Sequence, residues 1–337
     1  MEPDAPVAGN LAGNLVGQGV HGAGNLVGQG VHAAGHGTKA ILAALVANLG
    51  IAIAKFVGFL LTRSSSLLAE SVHSLADTTN QGLLLLGGKQ AKRSESDRHQ
   101  FGYGMARYFW SFVVALVLFS LGSLFALYEG FQKLKHPHEL ESPAIAIGIL
   151  VVAIFLESYS FRTAILESRP VKGAQGWWSF IRTSKVPELP VLLLEDSGAL
   201  IGLVIALTGV GLTLITDNAD FDAYSTLAIG VLLGVIAVIL IVEMKSLLLG
   251  EAAGPDVITA IEKTISGSPS VKRFIHARTM HLGPEDLLIA TKVELDPSLD
   301  FTGVAAAIDG IEDRLRSAVP AARVIYVEPA LHDPNRG

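Results

Sequence analysis

His73 and Asp77 stand four residues apart in an apolar stretch, with Glu70 three residues before them and Asn80 and Gln81 just after. On a helix turning about 100° per residue these five side chains fall within an arc of about 100°, so they share one face. The four-residue spacing stacks imidazole and carboxylate one turn apart, where nitrogen and oxygen can converge on one ion. Imidazole with carboxylate suits Zn2+ and its first-row neighbours. The chain has no cysteine, so a thiolate site and a disulfide are both excluded. The plainer reading is a His–Asp hydrogen bond joining two helices. Within a membrane, with Glu70 one turn away, transport of a metal or a proton outweighs it, because an ionisable group there is costly unless it is used.

Further acids lie in other apolar runs. Glu195 and Asp196 interrupt VLLLEDSGALIGLVIAL, and Glu157 interrupts an earlier run. Neighbouring residues point about 100° apart, so one of the adjacent acids joins His73 and Asp77 while the other faces a different helix. Glu157 reads either as a gate on a path or as a bonding partner for neighbours such as Ser158 and Tyr159, the second slightly favoured. Lys55 lies near the far end of the first apolar segment, where its four-carbon stem is expected to snorkel to the interface.

The elements that must hold these residues are membrane spans. Half of the 337 residues are hydrophobic against 17% charged, and the mean hydropathy of +0.48 is too high for a soluble fold of that length. A net charge of −6 argues against nucleic acid as a partner. Six segments approach the roughly 20 residues needed to cross a bilayer, at 39–61, 66–90, 106–130, 143–166, 190–216 and 222–249. Basic residues gather after the second segment (Lys89, Lys92, Arg93, Arg98, Arg107) and after the fourth (Arg162, Arg169, Lys172, Arg182, Lys185). The positive-inside rule then puts both termini in the cytoplasm, which in a bacterium means a multi-pass plasma-membrane protein.

Two flanking regions complete the division. Residues 1–38 form a Gly- and His-rich tail with a duplicated AGNLVGQGVH, read as flexible. Residues 39–250 are the membrane domain. Residues 255–332 have soluble composition and an α-β-β-α-β order, with Gly283 and Pro284 turning a hairpin. So small a domain gains stability by pairing with a second copy.

The stretch SSSLLAESVHSLADTTNQ resembles the cation diffusion facilitator family's Ser-rich start followed by Asp-Ala-x-His-x-x-x-Asp, with Glu70 in place of the first acid. DRHQFGYGMARYFW is similar to that family's Asp-x-x-His-Pro-Tyr-Gly-x-x-Arg-x-Glu loop. The resemblance covers nearly everything after residue 38. It implies an α-helical membrane protein of six spans, with a small cytoplasmic metallochaperone-like α+β domain. It also implies a homodimer that moves Zn2+ or a related ion out of the cytoplasm against protons. The implied site is tetrahedral, with His73 and Asp77 from the second span and Asp196 from the fifth. The usual ligand four residues before Asp196 is here Leu192, which cannot bind metal, so Glu195 or a water is left to complete the set. Glu70 stands near enough to be counted with them.

Two weaker sites follow from the same resemblance. Asp97 and His99 occupy the loop where some relatives hold an additional ion. His276, His281 and Glu328, with His332 and Asp333 close behind, are candidates for a regulatory Zn2+ in the C-terminal domain. Tyr326 stands where that domain's final-strand histidine is usual. No cofactor is expected beyond the metal itself, and no enzyme motif is present. The rival readings are a membrane-anchored metal sensor, which leaves the buried acids without purpose, and a facilitator family member selective for Mn2+, Fe2+ or Co2+. A channel is disfavoured because the sequence has no carbonyl-lined filter motif.

Overall fold

The computed structural model describes the backbone of residues 34–136 and 142–331, and side chains from Asn48 onward. The repeat within residues 12–32, and His332 and Asp333, lie outside the described residues. Two compact units divide the chain, Met1–Asn48 and Leu49–Gly337.

Helices dominate. In chain order they are α1 (Ala34–Thr62), α2 (Ser65–Ala91), α3 (Ala106–Lys135), α4 (Pro143–Lys172), the short α5 (Trp177–Thr183), α6 (Glu188–Thr216) and α7 (Asp220–Leu249). Four of them, α3, α4, α6 and α7, are long and apolar enough to cross a membrane. The described apolar part of α1, Asn48–Thr62, is shorter. With 27 residues, α2 spans about 40 Å at 1.5 Å per residue, so its length suffices; its buried polar stripe is what lowers its apolar content.

The start of α2 shows how the sequence fixes one helix against another. Ser64 caps it, its hydroxyl accepting from the Leu67 amide. A fully buried carboxylate, Asp222 in the first turn of α7, accepts the Ser65 amide at 2.8 Å and the Ser64 hydroxyl at 2.9 Å, and it also accepts the Ser66 hydroxyl. An anion there satisfies orphan N–H groups and complements the positive end of the helix. The Ser-rich start is therefore a cap shared between α2 and α7.

Close approach does the rest of the positioning. A Cβ at Gly209 of α6 would lie 2.2 Å from the Ser225 hydroxyl of α7, and one at Gly202 would lie 2.6 Å from Glu70 Oε1. Small residues at these positions let backbones come together where apolar solvent provides no drive. The centre of α3 widens to a π-helix over Leu118–Leu124. The Gly122 Cα carries the space that faces His73, since a Cβ there would lie 3.8 Å from His73 Nδ1.

After α7 come α8 (Pro255–Ser266), β1 (Val271–His281), β2 (Leu287–Leu295), α9 (Phe301–Ala318) and β3 (Ala322–Pro329). This is the α-β-β-α-β order expected. The sheet runs β1-β2-β3, antiparallel between the first pair and parallel between the second, so α9 is the crossover that parallel pairing requires. Ile261 and Ile265 of α8 and Ile311 and Leu315 of α9 close a core over Leu287, Ile289 and Val293 of β2.

The hairpin between β1 and β2 docks on the loops of the helical part. A Cβ at Gly104 would lie 2.6 Å from the Leu282 carbonyl oxygen, and one at Gly283 would lie 2.9 Å from Gly104 Cα, so the contact is backbone on backbone. Arg323 clamps it by pairing with Glu95 at 2.9 Å and Asp286 at 3.2 Å.

Candidate metal centre

The polar face read from the sequence is buried as one cluster. Glu70, His73, Asp77 and Asn80 are all inside, and Asp77 keeps only 7% of its surface. His73 Nδ1 lies 3.5 Å from Asp77 Oδ1, the contact expected of a four-residue spacing. From α6, Glu195 completes the group: its Oε1 accepts from Asn80 Nδ2 at 3.0 Å, and its carboxylate interacts directly with that of Asp77.

What sets this cluster apart is what its atoms lack. Both ring nitrogens of His73, Oδ1 of Asp77, Oδ1 of Asn80, Oε1 of Gln81 and Oε2 of Glu195 are buried without a hydrogen-bond partner. Leaving such a group unpaired costs roughly 1–3 kcal/mol, so a set of them in one place calls for an occupant. Among the described residues no three His, Asp or Glu side chains are drawn together tightly enough to hold an ion as they stand. The donors nevertheless suit one: an imidazole nitrogen, two carboxylates and an amide oxygen.

Of the two adjacent acids, the structure brings Glu195 to this face. Asp196, which the resemblance carries into the site, is turned toward α4, where its Oδ2 accepts from Ser160 at 3.1 Å. The one-residue step of about 100° separates them. Leu192 packs with Phe180 and Ala164, away from the polar face.

Glu70 also departs from expectation, and so does Lys55. Rather than snorkelling, Lys55 is 1% exposed and its ammonium donates to Glu70 Oε2 at 3.2 Å and to Ser74 Oγ at 2.7 Å. Glu157 lies 3.7 Å from the same ammonium. Glu70 therefore forms an ion pair between α1 and α2 through Oε2, while its Oε1 is buried without a partner. The signal available in the sequence was a lone lysine at the same depth as a carboxylate left over by the metal pair.

The weaker sites are not assembled within one chain. Asp97 and His99 lie in an exposed turn, with the His99 ring stacked on Tyr103 at 4.4 Å. His276 stands opposite Lys292, and Lys292 opposite Glu328, so a lysine separates the two; it pairs with Glu328 at 3.0 Å. His281 is buried at the end of β1, where its amide donates to the Glu251 carbonyl. Strand alternation, odd over the five residues from His276, puts the two histidines on opposite faces.

The comparisons with known proteins bear on this geometry. A model of the cation efflux transmembrane domain matches residues 41–249. The chain belongs to the cation diffusion facilitator family. A mouse protein named proton-coupled zinc antiporter SLC30A9, mitochondrial (Mus musculus) is 32% identical over 267 residues, which is 79% of this chain and 46% of the mouse one. Metal tolerance protein C4 of Arabidopsis thaliana is 27% identical over 77% of this chain and 58% of its own. The cation-efflux pump FieF of Serratia proteamaculans (strain 568) is 28% identical over 85% and 90%. This family member thus spans about half the length of the zinc antiporters it matches.

Proposed function

We propose that the chain is a six-span transporter that carries a divalent metal ion, foremost Zn2+, out of the cytoplasm in exchange for protons, as a homodimer with both termini cytoplasmic. The observation that carries this reading is the set of unpartnered nitrogen and oxygen atoms on His73, Asp77 and Glu195 at the centre of the helices. Relatives named proton-coupled zinc antiporters support zinc and proton as the exchanged pair.

The ion enters from the cytoplasm and meets His73, Asp77 and Glu195, with the Asn80 amide oxygen alongside. A ligating imidazole or carboxylate must be free of its proton, so loading expels protons. The dication offsets the charge of the neighbouring Asp77 and Glu195 carboxylates. Rocking of the helices then opens the site outward, where protons displace the ion. The shared cap at Asp222 ties the start of α2 to α7 and closes the opposite end while the ion loads.

Zn2+ flux into proteoliposomes, with a pH dye inside, tests the assignment. Wild-type protein is expected to move Zn2+ with opposed protons, and Asp77→Ala is expected to abolish both while retaining its elution profile in detergent. Undiminished flux in Asp77→Ala would remove the site.

A further inference from the structure

Beside the metal ligands lies a second buried charged cluster that the metal cycle does not use. Lys55 of α1 faces Glu70 of α2 at 3.2 Å and Glu157 of α4 at 3.7 Å, with Ser74 Oγ accepting its remaining short bond. One ammonium between two carboxylates leaves one negative charge in excess, in a place where an uncompensated charge is expensive. A proton is the smallest ion that removes it.

The two carboxylates are not equivalent. Glu70 has no exposed side-chain surface, and its Oε1 is unpartnered against Gly202, where a Cβ would lie only 2.6 Å away. Glu157 sits farther from the ammonium and retains 8% of its side-chain surface. It also repels Asp77 on α2 and Glu195 on α6, the acids of the metal cluster, and the adjacent Asp196.

We propose that Lys55, Glu70 and Glu157 form a proton-binding site separate from the metal ligands, with Glu157 as the carboxylate that takes and gives the proton. The proposal rests on the exchange reading above and names where one of its protons rides. A dication among Asp77 and Glu195 stabilises the Glu157 anion, so its carboxyl proton leaves to cytoplasmic water as the metal loads. On the far side the metal departs and a proton from that side binds a Glu157 oxygen. The two ions then exclude one another through charge alone, without sharing an atom, and the coupling is reciprocal.

The test counts protons per Zn2+ in proteoliposomes and adds Zn2+/Zn2+ exchange at equal pH, which needs no net proton movement. Glu157→Gln, neutral like the protonated acid, is expected to bind Zn2+ more weakly but still measurably, to keep Zn2+/Zn2+ exchange, to lower the proton count by about one per metal, and to lose acceleration by an imposed pH gradient. Glu157→Asp, which keeps the carboxylate, is expected to restore the count. Should Glu157→Gln fail to fold, Glu157→Met serves in its place: it likewise removes the carboxyl while Lys55 and Glu70 stay paired, and the count is expected to fall likewise. An unchanged proton count in the folded variant overturns the proposal, as does loss of Zn2+ binding in a folded Glu157→Gln, which would make Glu157 a metal ligand. A wild type that moves Zn2+ with no proton at all would overturn the exchange reading itself, and is told apart because it requires no variant.

Discussion

At the scale of residues, the deciding contrast is between Glu195 and Asp196. Both sit in the same apolar run, and only Glu195 reaches Asn80 and Asp77, while Asp196 bonds Ser160. Glu195→Gln is therefore expected to weaken Zn2+ binding by 10-fold or more, about 1.4 kcal/mol, whereas Asp196→Asn, whose amide oxygen can still accept from Ser160, is expected to change it less; isothermal titration in detergent compares them. His73 and Asp77 were legible from spacing alone, because a four-residue interval fixes their relation whatever surrounds the helix. The choice between two neighbouring acids was not. It depends on how α6 is rotated, and that rotation is set by close contacts at Gly202 and Gly209 with α2 and α7, which no periodicity in an all-apolar run records. The Lys55 partnership was signalled only by a lone lysine in an apolar run; which acids it meets depends on the packing of three helices.

Elements carry the next level of control. Removing the shared cap with Asp222→Ala leaves the Ser65 amide and two hydroxyls without their acceptor, at a cost of about 2 kcal/mol. A lower melting temperature by tryptophan fluorescence, with transport lost before the fold, is the expected result. The cap was legible in half: three serines announce a helix start, yet their acceptor lies more than 150 residues away in the chain. The π-helix over Leu118–Leu124 was not legible at all, since its sequence LFSLGSL has no feature foreign to an α-helix. A Cβ at its Gly122 would press Leu233 at 3.3 Å and Leu118 at 3.4 Å and would touch His73 Nδ1 at 3.8 Å, so the bulkier Gly122→Val is expected to crowd the wall of the site and lower metal affinity. Titration of Zn2+ against a competing chelator reads that change.

For the whole molecule, the question is how the C-terminal domain is fastened to the helices. Its order and hairpin were readable from alternation and turn residues, but the docking was not, because it is made of backbone at Gly104 and Gly283 and of one arginine between two acids. His281 and Glu251 meet Lys185 at this junction, and Lys185 pairs with Glu251. Burial pushes His281 below its ordinary value, the Lys185 charge pushes the same way, and the Gly283 backbone and Glu251 only partly oppose them. Burial alone would raise Glu251, but hydrogen bonds from Lys185 and Ser246 hold it below its ordinary value. A lowered histidine favours the neutral form, so its contribution is present above about pH 6.5 and is lost as pH falls through the lowered value. The melting temperature is expected to drop as pH falls below about 6.5, and His281→Gln is expected to flatten that drop; an identical drop in the variant would put the sensitivity elsewhere.

In the proposed site Zn2+ is held by His73 together with carboxylates of α2 and α6. X-ray absorption at the zinc edge, on purified protein loaded with one equivalent of Zn2+, tests it most directly. The wild type is expected to show a nitrogen and oxygen first shell with the outer-shell scattering of a single imidazole, and His73→Asp is expected to lose that imidazole signal while keeping an oxygen shell. The same imidazole signal before and after the substitution would remove His73 from the ion's first shell.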